Sequence, residues 1–236
     1  MKLVIALGGN ALMQRNEPLG MDVQWKNARV AAGALAAVAR QHQLILTHGN
    51  GPQVGLLAMQ AEAFKGAQPY PFDVMGAATE GMIGYILEQE LGNILGYDVP
   101  VATLLTRVEV DAKDPEFTDP SKFIGPTFER EQIDALIAEY GWTFRQDGRK
   151  WRRVIASPQP RRILWHRPIR WLLDNGAVVI CAGGGGIPVA TQDGQRVEGV
   201  EAESDKDRAS ILLAVEIPAE PFIIATDVAG VVEDYD

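Results

Sequence analysis

The sequence predicts an α/β protein with a largely parallel sheet and helices on both faces. Three observations lead there. Strand and helix patterns alternate along most of the chain, as in a parallel sheet wound with crossover helices. The strand-like runs are short, apolar and β-branched, as at residues 3–7, 44–47 and 178–182, which suits strands buried on both faces. Each of these runs also ends in glycine: Gly8-Gly9-Asn10, Gly49-Asn50-Gly51-Pro52 and Gly183-Gly184-Gly185-Gly186. A strand, then glycines, then a helix presents bare backbone N–H groups to an anion. Such turns at the carboxyl ends of one parallel sheet make a phosphate-handling crevice.

The elements follow in order. The first strand spans 3–7, and a helix over 23–40 carries Ala28, Ala31, Leu35, Val38 and Ala39 on one face. The second strand is 44–47. A helix over 53–64 begins just after Gly51-Pro52, proline being suited to a helix start. A third helix covers 76–95 and a strand 99–105. The rhythm then breaks over 109–160, where Asp114-Pro115, Asp119-Pro120, Gly125-Pro126 and Ser157-Pro158-Gln159-Pro160 are turn and loop signals. Between them lie a helix over 130–140 and a hairpin over 143–153 turning at Asp147-Gly148. This stretch reads as an inserted subdomain or lid. A helix over 163–175, the strand 178–182, a turn at Asp193-Gly194, a helix over 207–215 and a strand over 222–226 complete the pattern.

Bulk properties set limits. The chain has 236 residues, enough for one large α/β domain or two small ones. Its hydrophobic content is 47%, and no apolar run approaches the roughly 20 residues of a spanning helix. The start reads as a first strand rather than a signal peptide, because glycine and asparagine interrupt its apolar stretch. The single cysteine, Cys181, excludes an intrachain disulfide framework and fits a reducing cytoplasm. Lying in an apolar strand, it reads as buried and inert. The net charge of −9 argues against general nucleic-acid binding. Any anionic substrate must then be drawn in by local positive groups.

The chemistry-bearing segments differ in specificity. A pair of glycines after a strand needs no more than a tight turn. The run Gly183–Gly186 says more, since four glycines are costly to order. They point to close approach of a ligand or another backbone. Neither a Walker nor a Gly-x-Gly-x-x-Gly fingerprint follows these strands. Asp205-Lys206-Asp207 precedes a helix. Asp205 there is either a helix cap with solvated neighbours, or part of a site in which Lys206 meets phosphate and Asp207 orients it. His48 reads as a strand-end polar residue, and His42 and His166 as surface residues. No histidine or cysteine cluster has zinc-ligand spacing. The basic run Arg149-Lys150-Trp151-Arg152-Arg153, with Arg161 and Arg162, reads as a charged hairpin face that supports the lid or attracts an anion.

Taken together, several blocks resemble one family. They are Ala6-Leu7-Gly8-Gly9-Asn10-Ala11-Leu12, His48 through Gly55, Glu80-Gly81-Met82-Ile83-Gly84-Tyr85, Lys122 through Pro126, Trp151 through Pro158, and Ala182 through Val189. In this order they resemble the carbamate kinases of the amino acid kinase family, along the whole chain. The resemblance implies a three-layer α/β/α sandwich with a mainly parallel central sheet and a protruding subdomain. It implies phosphoryl transfer between ATP and carbamate, with ADP and carbamoyl phosphate giving ATP in the other direction. It also implies Mg²⁺ held mainly by nucleotide phosphates rather than by protein ligands, a homodimer, and a cytoplasmic location without nucleic-acid or membrane partners.

Site residues follow from the same resemblance. Gly8, Gly9, Asn10, Gly49, Asn50 and Gly51 would bind carbamate or carbamoyl phosphate, with N–H groups of Gly8, Gly9, Gly49 and Gly51 cradling phosphoryl oxygens and Asn10 and Asn50 donating further hydrogen bonds. Gly184, Gly185, Lys206, Thr226, Asp227 and Val228 would bind nucleotide. Many amino acid kinases carry a lysine where this chain has Ala6; in the carbamate kinases a lysine of the protruding subdomain replaces it, and Lys122 matches. Lys206 and Asp207 match the pair that contacts phosphate and orders the catalytic groups, so Lys122, Lys206 and Asp207 form the expected catalytic set.

Two departures qualify the resemblance. Glu203 and Ser204 stand where relatives usually have apolar residues, placing a negative charge near a phosphate site. The last strand is followed by no helix pattern, so the expectation is an amino acid kinase domain over 1–236 that lacks a C-terminal segment with a Met-Gly-Pro-Lys-type motif and much of the adenine pocket. Low activity follows from that expectation. The alternatives are a non-catalytic remnant that binds carbamoyl phosphate, and a kinase of another small carboxylate.

Overall fold

The computed structural model describes residues 1–9, 12–13, 17, 20–64, 69–192 and 196–225. In chain order the elements are β1 (Lys2–Leu7), α1 (Met21–Ala39), β2 (Gln43–His48), α2 (Gly51–Ala63), α3 (Phe72–Leu95), β3 (Val101–Leu104), β4 (Arg107–Val110) and β5 (Lys122–Phe128). They continue with α4 (Arg130–Tyr140), β6 (Thr143–Asp147), β7 (Lys150–Ile155), β8 (Pro160–Ile163), α5 (Arg167–Asp174), β9 (Val178–Cys181), β10 (Ile187–Gln192), β11 (Arg196–Gly199), α6 (Lys206–Glu216) and β12 (Phe222–Ala225).

The central sheet has five strands in the order β12-β1-β2-β9-β3. Every pairing in it is parallel, so all five carboxyl ends share one edge. Alternation along each strand loads the two faces. Leu3, Ile5, Leu44, Leu46, Val178 and Ile180 pack against Ala28, Ala32 and Leu35 of α1 and Ile83, Leu87 and Leu91 of α3. Val4, Ile45 and Val179 point the other way, toward Ile169 and Leu173 of α5 and Leu213 of α6. The result is a helix–sheet–helix sandwich. Burial of a leucine or isoleucine here contributes on the order of 1.5–3 kcal/mol.

Two smaller sheets extend this body. One has the order β11-β10-β4-β8. The other, β5-β7-β6, is antiparallel and carries α4. That helix starts with a capping box between Glu129 and Gln132 and stops at Gly141, where glycine tolerates the left-handed conformation. Ile124 and Ile155 of this sheet dock on Val54 and Ala58 of α2 and Phe72 and Met75 of α3.

The sequence reading needs correction in places. The helix expected over 163–175 is shorter, beginning at Arg167 with Pro168 in its first turn. Residues 160–163 are instead a strand, and the Leu164 N–H donates to the Arg107 carbonyl. Strands β4, β10 and β11 are absent from that reading for separate reasons: β4 alternates but is only four residues long, β10 contains Pro188, which argues against a strand, and β11 is four mostly exposed residues. The expected Asp193-Gly194 turn lies outside the described residues. The stretch expected over 109–160 divides: its ends, β4 and β8, pair in the four-stranded sheet, and residues 122–155 form the three-stranded unit.

Candidate functional site

The first two glycine turns touch. A Cβ added to Gly49 would sit 2.9 Å from the Gly9 nitrogen and 3.6 Å from Cδ of Lys206. Their hydrogen bonds, however, are unevenly used. The Gly49 N–H donates to the Leu7 carbonyl at 2.9 Å and the Gly8 N–H to the Ala225 carbonyl at 2.9 Å. Both donors are thus consumed by the sheet's own ladder. The expectation that all four glycines cradle an anion is therefore reduced: only the Gly9 and Gly51 N–H groups have no acceptor among the described residues. Asn50 is buried and its Nδ2 donates to Thr79 Oγ1 at 2.9 Å, so its amide is oriented from below by α3.

The third turn follows β9. Its backbone turns left-handed at Ala182 and again at Gly184, Gly185 and Gly186, with φ of 50°, 66°, 94° and 79°. What surrounds these glycines is protein. Added Cβ atoms would meet the His48 ring at Gly183 (2.3 Å), the Asn50 amide at Gly184 (2.3 Å), the Ser204 and Asp205 backbone at Gly185 (2.8 and 2.9 Å) and the Val108 side chain at Gly186 (2.3 Å). Of the two explanations for four glycines, close approach of other parts of the chain is the one realised.

The donors of this turn are almost all occupied. The Ala182 N–H donates to Thr106 Oγ1 at 2.9 Å and the Gly183 N–H to Glu80 Oε1 at 2.9 Å. Those of Gly185 and Gly186 close onto the carbonyls of Ala182 and Gly183. The Gly184 N–H alone has no acceptor among the described residues. Glu80 also accepts the Thr106 N–H, at 3.1 Å. Burial drives its carboxyl up to about 8, against the pull of the Thr106 and Gly183 N–H groups. Burial likewise lowers His48 to about 4, and a neutral ring can donate from Nδ1 to the Gly49 carbonyl at 3.1 Å. His48 is fully buried at the strand end, whereas His42 and His166, expected on the surface, are half-buried. Cys181 is buried, as expected, and burial pushes its thiol up.

The start of α6 completes the group. Asp205 is its N-cap and accepts from the N–H groups of Asp207 and Arg208, each at 3.0 Å. Lys206 Nζ lies 2.6 Å from Asp207 Oδ1. Ser210 Oγ donates to the Lys206 carbonyl and lies 2.6 Å from Thr47 Oγ1, which pins this turn of helix to β2. Lys122 reaches over from β5: its Nζ donates to the Ser204 carbonyl at 2.9 Å and lies 3.5 Å from Glu203 Oε2. Glu203 is buried, and burial raises its carboxyl while Lys122 lowers it.

The structure therefore brings Gly9, Gly49, Asn50, Gly184, Gly185, Lys206, Asp207 and Lys122 to one edge of the sheet. Asn10, Thr226, Asp227 and Val228 lie outside the described residues. Among the described residues, no group of three or more His, Cys, Asp or Glu side chains is placed to hold a metal ion, and no helix is long and apolar enough to cross a membrane. The basic run is largely paired: Lys150 with Glu129, Arg152 with Asp147, Arg153 with Glu201, Arg161 with Asp111 and Arg162 with Glu109. Sequence reasoning gave no role to Glu80 or Thr106. For Glu80 a sign was present: it shares the buried face of α3 with Ile83 and Leu87, at helical spacing, where a carboxylate needs partners.

Comparison with known proteins gives a consistent picture. The amino acid kinase family profile matches residues 1–236. A carbamate kinase of Rhizobium meliloti is 58% identical over 233 residues, covering 98% of this chain and 72% of that protein. One from Escherichia coli K12 is 52% identical, covering 99% and 77%. A solved carbamate kinase from Giardia lamblia bound to AMP-PNP superposes with a TM-score of 0.88 at 38% identity, covering 96% of this chain and 74% of that one.

Proposed function

The chain belongs to the amino acid kinase family, and we propose that it acts as a carbamate kinase. It would transfer a phosphoryl group reversibly between ATP and carbamate. A carbamate oxygen attacks the γ-phosphorus, an O–P bond forms, and the bond to the ADP oxygen breaks. In reverse, carbamoyl phosphate and ADP give ATP. The identity to carbamate kinases of R. meliloti and E. coli supports this reading.

One observation carries it at the level of chemistry. In a chain of net charge −9, two lysines from separate elements, Lys122 and Lys206, converge on residues 203–207 beside unpaired main-chain donors. Phosphoryl transfer asks a protein mainly to align two anions and neutralise the group in flight. Gly9, Gly51 and Gly184 supply N–H donors for phosphoryl oxygens, and Lys122 and Lys206 supply charge. Asp207 holds Lys206 in place, and Asn50 is oriented through Thr79. We assign Gly49 and Gly185 to the walls of the crevice, where an added Cβ would collide with neighbouring backbone, and Gly8 to the sheet's edge, where its N–H is taken by the Ala225 carbonyl. The three-stranded sheet with α4 is the protruding subdomain that carries Lys122 over the crevice.

ATP or ADP is the nucleotide, and Mg²⁺ travels with its phosphates. The described residues make no cage for the ion. A homodimer and a cytoplasmic location belong to the same proposal. A coupled assay of ATP formation from carbamoyl phosphate and ADP tests it. Turnover with strict preference for carbamoyl phosphate over other acyl phosphates is expected, and a robust rate would overturn the low activity expected from the sequence. Binding of carbamoyl phosphate without turnover would favour a non-catalytic role, and a broad substrate range another small-carboxylate kinase.

A further inference from the structure

Glu80 has no part in the chemistry above, yet it is the best-connected buried carboxyl of the molecule's active edge. It lies on α3, 1% exposed, and one side chain takes two main-chain donors from two different elements. Its Oε1 accepts from Gly183 at the end of β9, and its Oε2 from Thr106 between β3 and β4. Thr106 in turn accepts the Ala182 N–H. Glu80 and Thr106 therefore occupy two successive donors of the turn, and the turn closes two more on itself. Gly183 is wedged between the His48 ring and Glu80, since an added Cβ would meet them at 2.3 and 3.0 Å.

We propose that Glu80 is a positioning residue for the phosphate-handling crevice: by fixing Gly183 to the β3–β4 corner, it holds the third glycine turn so that the Gly184 N–H faces the phosphoryl-bearing substrate. The inference rests on the phosphoryl-transfer reading given above. A carboxyl suits the role because both of its oxygens accept. A glutamine accepts on one atom only and turns an NH₂ toward the second N–H, which leaves a buried donor unpaired.

The test compares two buried carboxyls on the same helix. Glu90 is 4% exposed and pairs with Arg29 on α1, at 2.9 Å, away from the crevice. Glu80→Gln is expected to lower kcat/KM about tenfold, the worth of one such hydrogen bond, through KM rather than kcat. It is also expected to speed amide hydrogen exchange at Gly183 or Thr106, whichever N–H loses its acceptor. Glu90→Gln is expected to lower the melting temperature and leave KM alone. Where Glu80→Gln does not fold, Thr106→Val removes the companion acceptor and carries the same expectation. Unchanged KM in the variant that folds, a fall carried by kcat alone, or an equal KM change in Glu90→Gln would overturn the proposal. The exchange measurement needs no turnover. Exchange as slow as in the parent at both Gly183 and Thr106 in Glu80→Gln thus defeats the positioning role, whereas absent turnover in the unaltered protein defeats the function.

Discussion

Two regions bring charge and donors to the same crevice by opposite means. The third glycine turn is held from within: Glu80, Thr106, His48 and Asn50 are all buried around it, and each glycine faces protein atoms. The three-stranded sheet is held from outside. Its ion pairs are largely exposed, such as Arg145 with Asp119 and Lys150 with Glu129, and such pairs contribute little. Among the described residues its contacts with the body include one small apolar cluster, Lys122 with Glu203 and Ser204, the Glu203 N–H on the Ala156 carbonyl, and Arg153 with Glu201 and over the Phe72 ring. The turn is thus held by buried polar partners, while the sheet brings Lys122 in from a separate scaffold.

The largest expected effect separates the two regions cleanly. Lys122→Ala removes a cation from the sheet without opening a core. Turnover is expected to fall by about 10²–10³, the scale of losing one preorganised charge-stabilising group, while the chain still folds, with a lowered melting temperature because buried Glu203 loses its partner cation. Loss of folding together with activity would erase the distinction drawn here.

The next effect strikes the turn. Gly183→Ala drives a methyl into the His48 ring at 2.3 Å. Overpacking of this kind costs about 1–3 kcal/mol, several degrees in melting temperature, and activity falls with it. Gly183→Ala combined with His48→Ala makes room and is expected to regain part of the lost stability. If the single variant melts like the parent, the turn is softer than its packing implies.

The last effect is in pH dependence, which the buried region should show. His48 takes a proton at about 4 in the folded chain but near 6.5 when unfolded, so stability falls as pH drops from 6.5 toward 4. Glu80 keeps its proton up to about 8, whereas the unfolded side chain loses it near 4.3. The folded state then binds more protons over that interval, and stability declines as pH rises through it. The two contributions oppose each other between about 4.3 and 6.5, so denaturant midpoints should show a decline with rising pH there in His48→Gln and a rise in Glu80→Gln. An unaltered profile in both variants would show that these groups do not titrate as their burial dictates.

Much of this was legible in the residues. Short β-branched runs ending in glycine gave the central strands and the edge at which the site lies, because burial on both faces leaves no polar residue to blur the pattern. Lys122, Lys206 and Asp207 came from the resemblance, not from spacing. What escaped has a physical cause. Strand β4 alternates over only four residues, β10 is interrupted by Pro188, and β11 is short and mostly exposed. Glu80 was hidden because its partners are main-chain N–H groups, which every residue has and no sequence marks. Glycines were also ambiguous at the level of sequence. A missing side chain makes room for a ligand or for a neighbour, and at Gly183–Gly186 the neighbour is there.

That last point bears on how tolerance to substitution should be read across the crevice. A Cβ at Gly51 meets nothing within 4 Å, and one at Gly9 only a proline carbon at 3.6 Å. At Gly49 and Gly183 through Gly186 it collides with buried atoms. Replacing each glycine in turn would mark as indispensable the positions that mostly have no donor to spare. Gly9 and Gly51, whose N–H groups are open, would pass as dispensable. Only Gly184 is both crowded and open. In this crevice, the positions least forgiving of change and the positions whose N–H is open among the described residues form two sets that barely overlap.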